Sequence, residues 1–431
     1  MRFRPVSLAA LLLVAGVSVS HAQQSVKAVW GSGPTDLWAI TDLPAVLHFN
    51  GRGWNQTPMS GMGVPVAVWG SGPRDVFVVG EGGLAMRWDG TQWNRLTTGV
   101  TRDLVAVGGR SASEVYVVAQ AENNTDRPLL LRWDGRQFTS APLTIPFRAQ
   151  ALAVTPTEII VAGYALFDPT PSERRQFGVI ARQRGAAWTL SGFDGQRATD
   201  PVLAGAAWQR VCTTATSTTV VGQRQDGARV VLVQTAGRWA TMPAPALPAN
   251  ANATDATWVL AQDCTPLFLF QQGFARYAAG RWQVVAPGLA ATTTNEGASQ
   301  ELAALSQQMQ AQIQAGRMPT QEQIMRMQQL SQVATSQMNV QVAAANTALN
   351  FNFGDSPAGW GMTGADFWVG TEAGRVVHVT GDDARIAYDA LCLNPGASSL
   401  PQCQGVVTGA ATAAPRTAVP QPTRPANKPR P

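Results

Sequence analysis

Histidine, cysteine, tyrosine and charge are all scarce in this 431-residue chain, and each scarcity excludes something. Only three histidines occur, and beyond the N-terminal segment only His48 and His378 remain, far apart. A Ser-His-Asp relay therefore has little material. With no CxxC in the chain, the residues also argue against a zinc site of ordinary spacing. Phosphate-cradling loops, EF-hand loops and HExxH are absent as well, so the sequence calls for no cofactor and no metal. Charged residues make up 14%, too few for a charged helical protein. The formal net charge of +5 sits at the ends: without Arg2 and Arg4 it is +3, and without Arg416, Arg424, Lys428 and Arg430 the body is near −1. That pattern offers no nucleic-acid surface.

Long apolar runs are also missing. The one candidate, Leu8 to Val19, falls short of the ~18 residues that a span needs. With Arg2 and Arg4 before it and Ser20-His21-Ala22 after it, residues 1–22 read as a secretory signal. The expectation is an exported protein, periplasmic or extracellular, starting near Gln23 with no stable membrane insertion. No cysteine follows the apolar core, so a bacterial lipid anchor is unsupported. In an oxidising compartment four cysteines imply two disulfides. Three pairings are open. We favour Cys212 with Cys264, near the ends of the first strands of successive units, and Cys392 with Cys403, closing a small loop.

What the chain has in abundance is Gly (41) and Trp (14), arranged in repeats. Val66 to Thr98 reads as four short strands separated by Gly-Ser-Gly-Pro, Glu-Gly-Gly and Asp-Gly turns. The Asp-Gly pair predicts a type I′ hairpin, with φ > 0 at both central residues. The same text stands upstream: Trp30, Asp36, Asn50-Gly51 and Trp54 precede Trp69, Asp75, Asp89-Gly90 and Trp93 by 39 residues each. Four strands at that period mark a β-propeller blade. A third unit runs from Leu104 to Phe138, and looser units end at Trp188, Trp239, Trp282 and Asp389. The expected fold is all-β, a propeller of seven four-stranded blades, with six or eight left open. Blades 1–6 fall in 23–297 and blade 7 in 351–390, with a disulfide loop at 391–405. Between blades 6 and 7, residues 298–350 lose strand alternation. Leu302, Leu305, Met309 and Ile313 recur at helical spacing, and Thr320 with Gln323 forms a capping-box pattern, so a helical hairpin is expected. From 406 to 431 the Pro- and Arg-rich composition reads as a disordered tail, able to make weak contact with anionic envelope polymers.

In a blade, the A–B and C–D turns share one face and the B–C and D–A connections share the other. The short stereotyped turns here are all of the first kind, and the enlargements are of the second, which is where recognition usually sits. Candidate binding residues on that rim are Asn123, Asn124, Asp126 and Arg127 in unit three, Tyr164, Phe167, Asp168, Arg174 and Arg175 in unit four, and Arg224 and Asp226 in unit five. Aromatic groups beside mixed charge suit a polar polymer or a protein surface. Asp36, Asp75 and Glu114 recur at one place in successive units, so they read as turn-capping groups on separate blades rather than a catalytic cluster. The Trp54, Trp93, Trp188, Trp239 and Trp282 series reads as inter-blade packing for the same reason.

The units resemble the WGSGPxDVWxVG…WDGxxW repeats found in tandem in secreted bacterial β-propellers, abundant in myxobacteria. The resemblance is carried by Trp30 to Pro34, Asp36 to Trp38, Trp69 to Pro73, Asp75 to Phe77, and Trp88-Asp89-Gly90 with Trp93, and by Trp133-Asp134-Gly135. The Asp-Gly-x-x-Trp element is also similar to the Asp-box turn of sialidase-like propellers. It lacks the preceding Ser/Thr, and no arginine triad accompanies it, so sialidase activity is not carried over. The expectation is a non-enzymatic scaffold binding a protein or a cell-surface glycan. The alternatives are a polysaccharide lyase or glycoside hydrolase at the central channel mouth, or a periplasmic envelope-assembly scaffold.

Overall fold

A computed structural model describes residues 25–42, 45–59, 63–170, 173–249, 256–270, 273–285, 358–371 and 374–389, with parts of 305–327. The expected signal segment (1–22), Cys392 and Cys403 of the expected disulfide loop, the expected tail (406–431) and most of the 298–350 stretch lie outside the described residues.

The chain forms seven four-stranded antiparallel sheets, each built from four consecutive strands. Blades 1 to 7 span 26–58, 65–95, 104–142, 148–191, 206–242, 257–285 and 358–389. We label the strands of each blade A to D in chain order. The A strands pack on one another in sequence, and the first also meets the last, which closes the ring around a central axis. Seven blades is thus the number, not six or eight. Strand B sits between two neighbouring blades, so both its faces are buried. That is why Asp75–Gly80 of blade 2 reads as a continuous apolar run rather than an alternating one.

Among the described residues no strand is shared between the first and last blades, so side-chain packing and a backbone bond close the ring. Trp54 of blade 1 packs on Tyr388 of blade 7 at 5.3 Å, and its indole N–H donates to the Ala387 carbonyl at 2.9 Å. Phe49 meets Trp368 at 5.8 Å, and the Val26 N–H donates to Thr371 O at 3.1 Å. Other members of the tryptophan series also reach the preceding blade: Trp93 lies edge-on to Trp38 at 5.5 Å, and the Trp282 N–H donates to Pro243 O at 2.9 Å. Glycine is required where such a ring arrives. A Cβ on Gly70 would lie 2.6 Å from Trp30, and one on Gly109 would lie 2.8 Å from Trp69.

The expectation of type I′ Asp-Gly hairpins is corrected. Gly51, Gly90 and Gly135 have positive φ, but Asn50, Asp89 and Asp134 do not. Each Asn or Asp instead folds a longer turn around its own side chain. Asp89 Oδ1, for example, accepts the N–H groups of Thr91 and Gln92 at 2.8 and 2.9 Å. Positive φ at both central residues appears at Ala236-Gly237 and Ala279-Gly280, the two-residue hairpins of blades 5 and 6.

The recurring acids reach beyond the turn that they were expected to cap. Asp36 accepts from Ser32 Oγ at 2.6 Å, but also pairs with His48 of strand C at 2.7 Å. Asp75 pairs with Arg87 at 2.6 Å, Glu158 with Arg182 at 3.0 Å, and Asp366 with His378 at 2.8 Å. The acid opens strand B, and its partner stands across the ladder from the residue two places on. Trp38 stacks on His48 at 3.8 Å and Trp368 on His378 at 3.9 Å, while Arg87 lies 5.6 Å above Phe77. In blades 1, 2 and 7 the pair therefore ties strand C to the start of strand B across an aromatic ring. Burial pushes the Asp36 carboxyl up, but hydrogen bonds from His48 and Ser32 outweigh it and hold the group below the usual carboxylate range.

The disulfide joins Cys212, on strand A of blade 5, to Cys264, in the A–B turn of blade 6. In the insertion, residues 305–310 are helical. The capping box is present: Thr320 N–H donates to Gln323 Oε1 at 2.9 Å, and Gln323 N–H to Thr320 Oγ1 at 3.3 Å. Ser306 Oγ lies 3.9 Å from Met327 Sδ, so the two helical pieces touch. Among the described residues no helix is long and apolar enough to cross a membrane.

Candidate functional site

On the rim of B–C and D–A connections, the expected site residues divide into groups with different surroundings. In blade 3, Asn123 Oδ1 accepts the N–H groups of Thr125 and Asp126, each at 2.9 Å, and forms an Asx turn. Asp126 pairs with Arg102 at 2.8 Å, and Arg102 also donates to Arg127 O at 3.0 Å. The N–H of Glu122, ahead of that of Arg127 and the Arg102 charge, holds the Asp126 carboxyl low. Asn123 and Asp126 are thus engaged in shaping the loop, while Asn124 and Arg127 are exposed on it.

In blade 4 the expected loop from Tyr164 to Phe177 is instead a long hairpin. Strands B (Glu158–Thr170) and C (Glu173–Arg184) continue past the sheet, up to the pair Thr170 and Glu173. An alternating strand and an enlarged polar loop look alike when no tight-turn signal marks the tip. Tyr164 is half-buried opposite Gly178. Phe167 packs edge-on to Phe177 at 6.3 Å and meets Phe193 at 5.6 Å, so it braces the hairpin. Phe177 stacks on Phe193 at 4.9 Å with 8° between the rings. The side chains of Asp168 and Arg174 lie outside the described residues, while Arg175 is exposed.

Three of the expected residues do converge. Arg175 from blade 4 and Arg224 and Asp226 from the B–C turn of blade 5 line one cavity of about 480 Å³, together with Phe177, Pro201 and Gln225. Asp226 Oδ1 accepts the Ala228 N–H at 2.9 Å, which fixes the turn. Pro201 opens a short helical turn capped by Asp200, whose Oδ1 accepts the N–H groups of Val202 and Leu203. The cavity therefore offers two guanidinium groups, one carboxylate, an amide and an aromatic face, all on rigid elements. The ring of Phe177 and its Phe193 support were missed because they lie outside the repeat template. The Asp194-Gly195 turn beside Phe193 copies the blade turn, with Asp194 Oδ1 accepting from Gln196 and Arg197 N–H at 2.9 Å, and was the available signal.

The central channel has a volume of about 310 Å³ and is walled by strand A of every blade. Its polar lining is Lys27, Gln150, Gln209, Arg210 and Gln262, with Val, Ala and Leu between them, and no carboxylate among the described lining residues. Burial, and then the like charge of Arg229, lower the Arg210 pKa from its ordinary value. Among the described residues no group of three His, Cys, Asp or Glu side chains could hold a metal.

No protein-family model matches the chain, and no curated protein matches it. Solved structures do. BP39L lectin from Burkholderia pseudomallei superposes with a TM-score of 0.47 at 13% identity, covering 84% of this chain and 97% of that one. YCF48 bound to a D1 peptide gives a TM-score of 0.42 at 8% identity, over 61% of this chain and 81% of that one. Aleuria aurantia lectin in complex with α-methyl-L-fucoside gives 0.38 at 14% identity, over 61% and 95%. At these values the likeness is one of propeller architecture.

Proposed function

We propose that the chain is an exported, non-enzymatic β-propeller of the tandem-repeat bacterial type that binds a protein or a glycan on its B–C/D–A rim. The observation that carries the reading is the cavity between blades 4 and 5, where Arg175, Arg224 and Asp226 meet the Phe177 ring. An aromatic face beside groups of opposite charge can stack on a sugar or an apolar side chain while fixing its polar groups. A volume of about 480 Å³ falls within the range of small-ligand sites. The helical insertion would add contact area to the same assembly, and the basic tail would add weak attraction to anionic envelope polymers. A glycosidase at the channel mouth needs two carboxylates ~5–9.5 Å apart. The described lining of that channel has none.

A glycan array and a tagged-bait binding screen with the full chain and Arg224→Gln test this reading. The expected result is a ligand whose affinity falls about tenfold or more in the variant, the loss of one charge-assisted hydrogen bond. Ligand binding that is indifferent to Arg224→Gln would move the site off this cavity.

A further inference from the structure

A comparison of the seven blades singles out blade 3. Strand B opens with an acid in blades 1, 2, 3, 4 and 7, and the residue across from its third position is a basic residue on strand C. These residues are His48, Arg87, Arg132, Arg182 and His378, opposite Trp38, Phe77, Tyr116, Ile160 and Trp368. In blades 5 and 6 both members are lost together, leaving Ser217 with Val233 and Pro266 with Ala275. In blades 1, 2, 4 and 7 the two members bond directly, at 2.6 to 3.0 Å.

Blade 3 keeps both members but does not pair them. Glu114 accepts instead from Arg110 at 2.5 Å and from the Tyr116 hydroxyl at 2.8 Å. Arg110 stands four residues before the acid, where Ser32 and Ser71 stand in blades 1 and 2. The cation has moved from strand C to strand A, and its bond to Tyr116 at 3.1 Å completes the exchange. The Tyr116 hydroxyl, and then Arg110 against an opposing effect of burial, hold the Glu114 carboxyl low. Arg132 is left over: its guanidinium makes no hydrogen bond or ion pair among the described residues, and it is exposed. Glu114 and Asp134 both feel its charge without bonding to it, and Asp134, two residues on, uses Oδ1 to accept the N–H groups of Arg136 and Gln137.

This arginine faces a cavity of about 570 Å³ between blades 3 and 4, on the A–B/C–D face opposite the rim discussed above. Thr139, Ser140, Thr157 and Gln183 also line it. Because Glu114 balances Arg110, the net charge offered to a ligand is the single cation of Arg132. We propose that this cavity is a second binding site, in which Arg132 receives the carboxylate of an acidic saccharide. The planar guanidinium fork matches a carboxylate. The hydroxyl and amide groups around it match sugar hydroxyls, and Leu130, Ala141, Pro156 and Ile159 supply apolar surface for the face of a sugar ring.

The test is calorimetric titration of the full chain with trigalacturonate, its neutral galactose counterpart and a hexa-aspartate peptide, for wild type and Arg132→Gln, with thermal melts alongside. The neutral sugar should bind at least about tenfold more weakly than the uronate, and Arg132→Gln should lose about tenfold in uronate affinity. Arg132→Gln should also melt within about 1 °C of wild type, whereas Arg87→Gln, which breaks a direct pair, should melt roughly 2–6 °C lower. Equal uronate binding by Arg132→Gln, or no uronate binding, overturns the proposal. So does a melt as depressed as that of Arg87→Gln, which would make Arg132 part of the fold. Tighter binding of the aspartate peptide would replace the saccharide with an acidic protein segment.

Discussion

Ring closure through side chains makes Trp54 the member of its repeat series whose loss should cost most. Its ring is 4% exposed, whereas Trp93, Trp188, Trp239 and Trp282 at the same repeat position are half-buried. Burying a tryptophan removes roughly 200 Å² from water. At ~25 cal/mol per Å² that gives an upper figure of about 5 kcal/mol. Large-to-small truncation of a buried tryptophan costs about 3–5 kcal/mol, and the lost bond to Ala387 O adds about 1 kcal/mol. We expect Trp54→Ala to lose about 4 kcal/mol in urea unfolding, and Trp54→Phe about 1–2 kcal/mol, because the phenyl ring still covers Tyr388. Trp239→Ala, away from the junction of blades 1 and 7, should lose about half as much as Trp54→Ala. Hydrogen exchange offers a local readout, since the Val26 amide bonds across that junction to Thr371 and should exchange faster in Trp54→Ala. A Trp54→Ala loss no larger than that of Trp239→Ala, with Val26 protection unchanged, would refute closure by this packing.

Three further outcomes can be measured. Burial pushes the Glu158 carboxyl up, but Arg184 and Arg182 outweigh it and hold the group below the ordinary carboxylate pKa, as His48 and Ser32 do for Asp36. Their stabilisation is therefore complete above about pH 5 and is lost as pH falls through the lower folded values. Acid titration of stability should be shallower in Glu158→Gln, and an unchanged slope would contradict the ion pair. Cys212 and Cys264 close a loop with a sequence separation of 52, which is worth about 4 kcal/mol by chain entropy. Cys212→Ala with Cys264→Gly, chosen because Cys264 has φ of 63°, should lose most of that in urea unfolding, and reductant should destabilise the wild type far more than the variant. Gly70→Ala should cost more than about 2 kcal/mol, because the new methyl meets both Trp30 and the Asp75 carbonyl, and a neutral result would mean that the blades can slide apart.

The propeller could be read without coordinates because its period is local. Each unit carries its own turn residues, its own buried B strand and its own tryptophan, so one 39-residue text implies one blade and its copies imply a ring. The Cys212–Cys264 pair followed from related logic, since residues near the ends of the first strands of successive units fall on neighbouring blades. Turn conformation was less accessible: Asp-Gly suits a type I′ hairpin, but the Asp89 carboxylate finds two backbone N–H groups and draws the chain into a longer turn. The blade 4 hairpin was hidden for a related reason, because its extension is stabilised by Phe193 from a later connection.

Sequence alone therefore determined the blade, the number of its copies within one, and which face bears the enlarged connections, all of which depend on residues close together in the chain. Tertiary structure decided which side chains meet between blades. It engaged Asn123 and Asp126 in their own loop, brought Arg224 and Asp226 beside Arg175, and moved the partner of Glu114 from Arg132 to Arg110. A repeat prescribes equivalent positions but not equivalent partners. One extra hydroxyl on Tyr116 and one arginine in place of a serine are enough to re-route a charge, and only the packed geometry reveals where it goes.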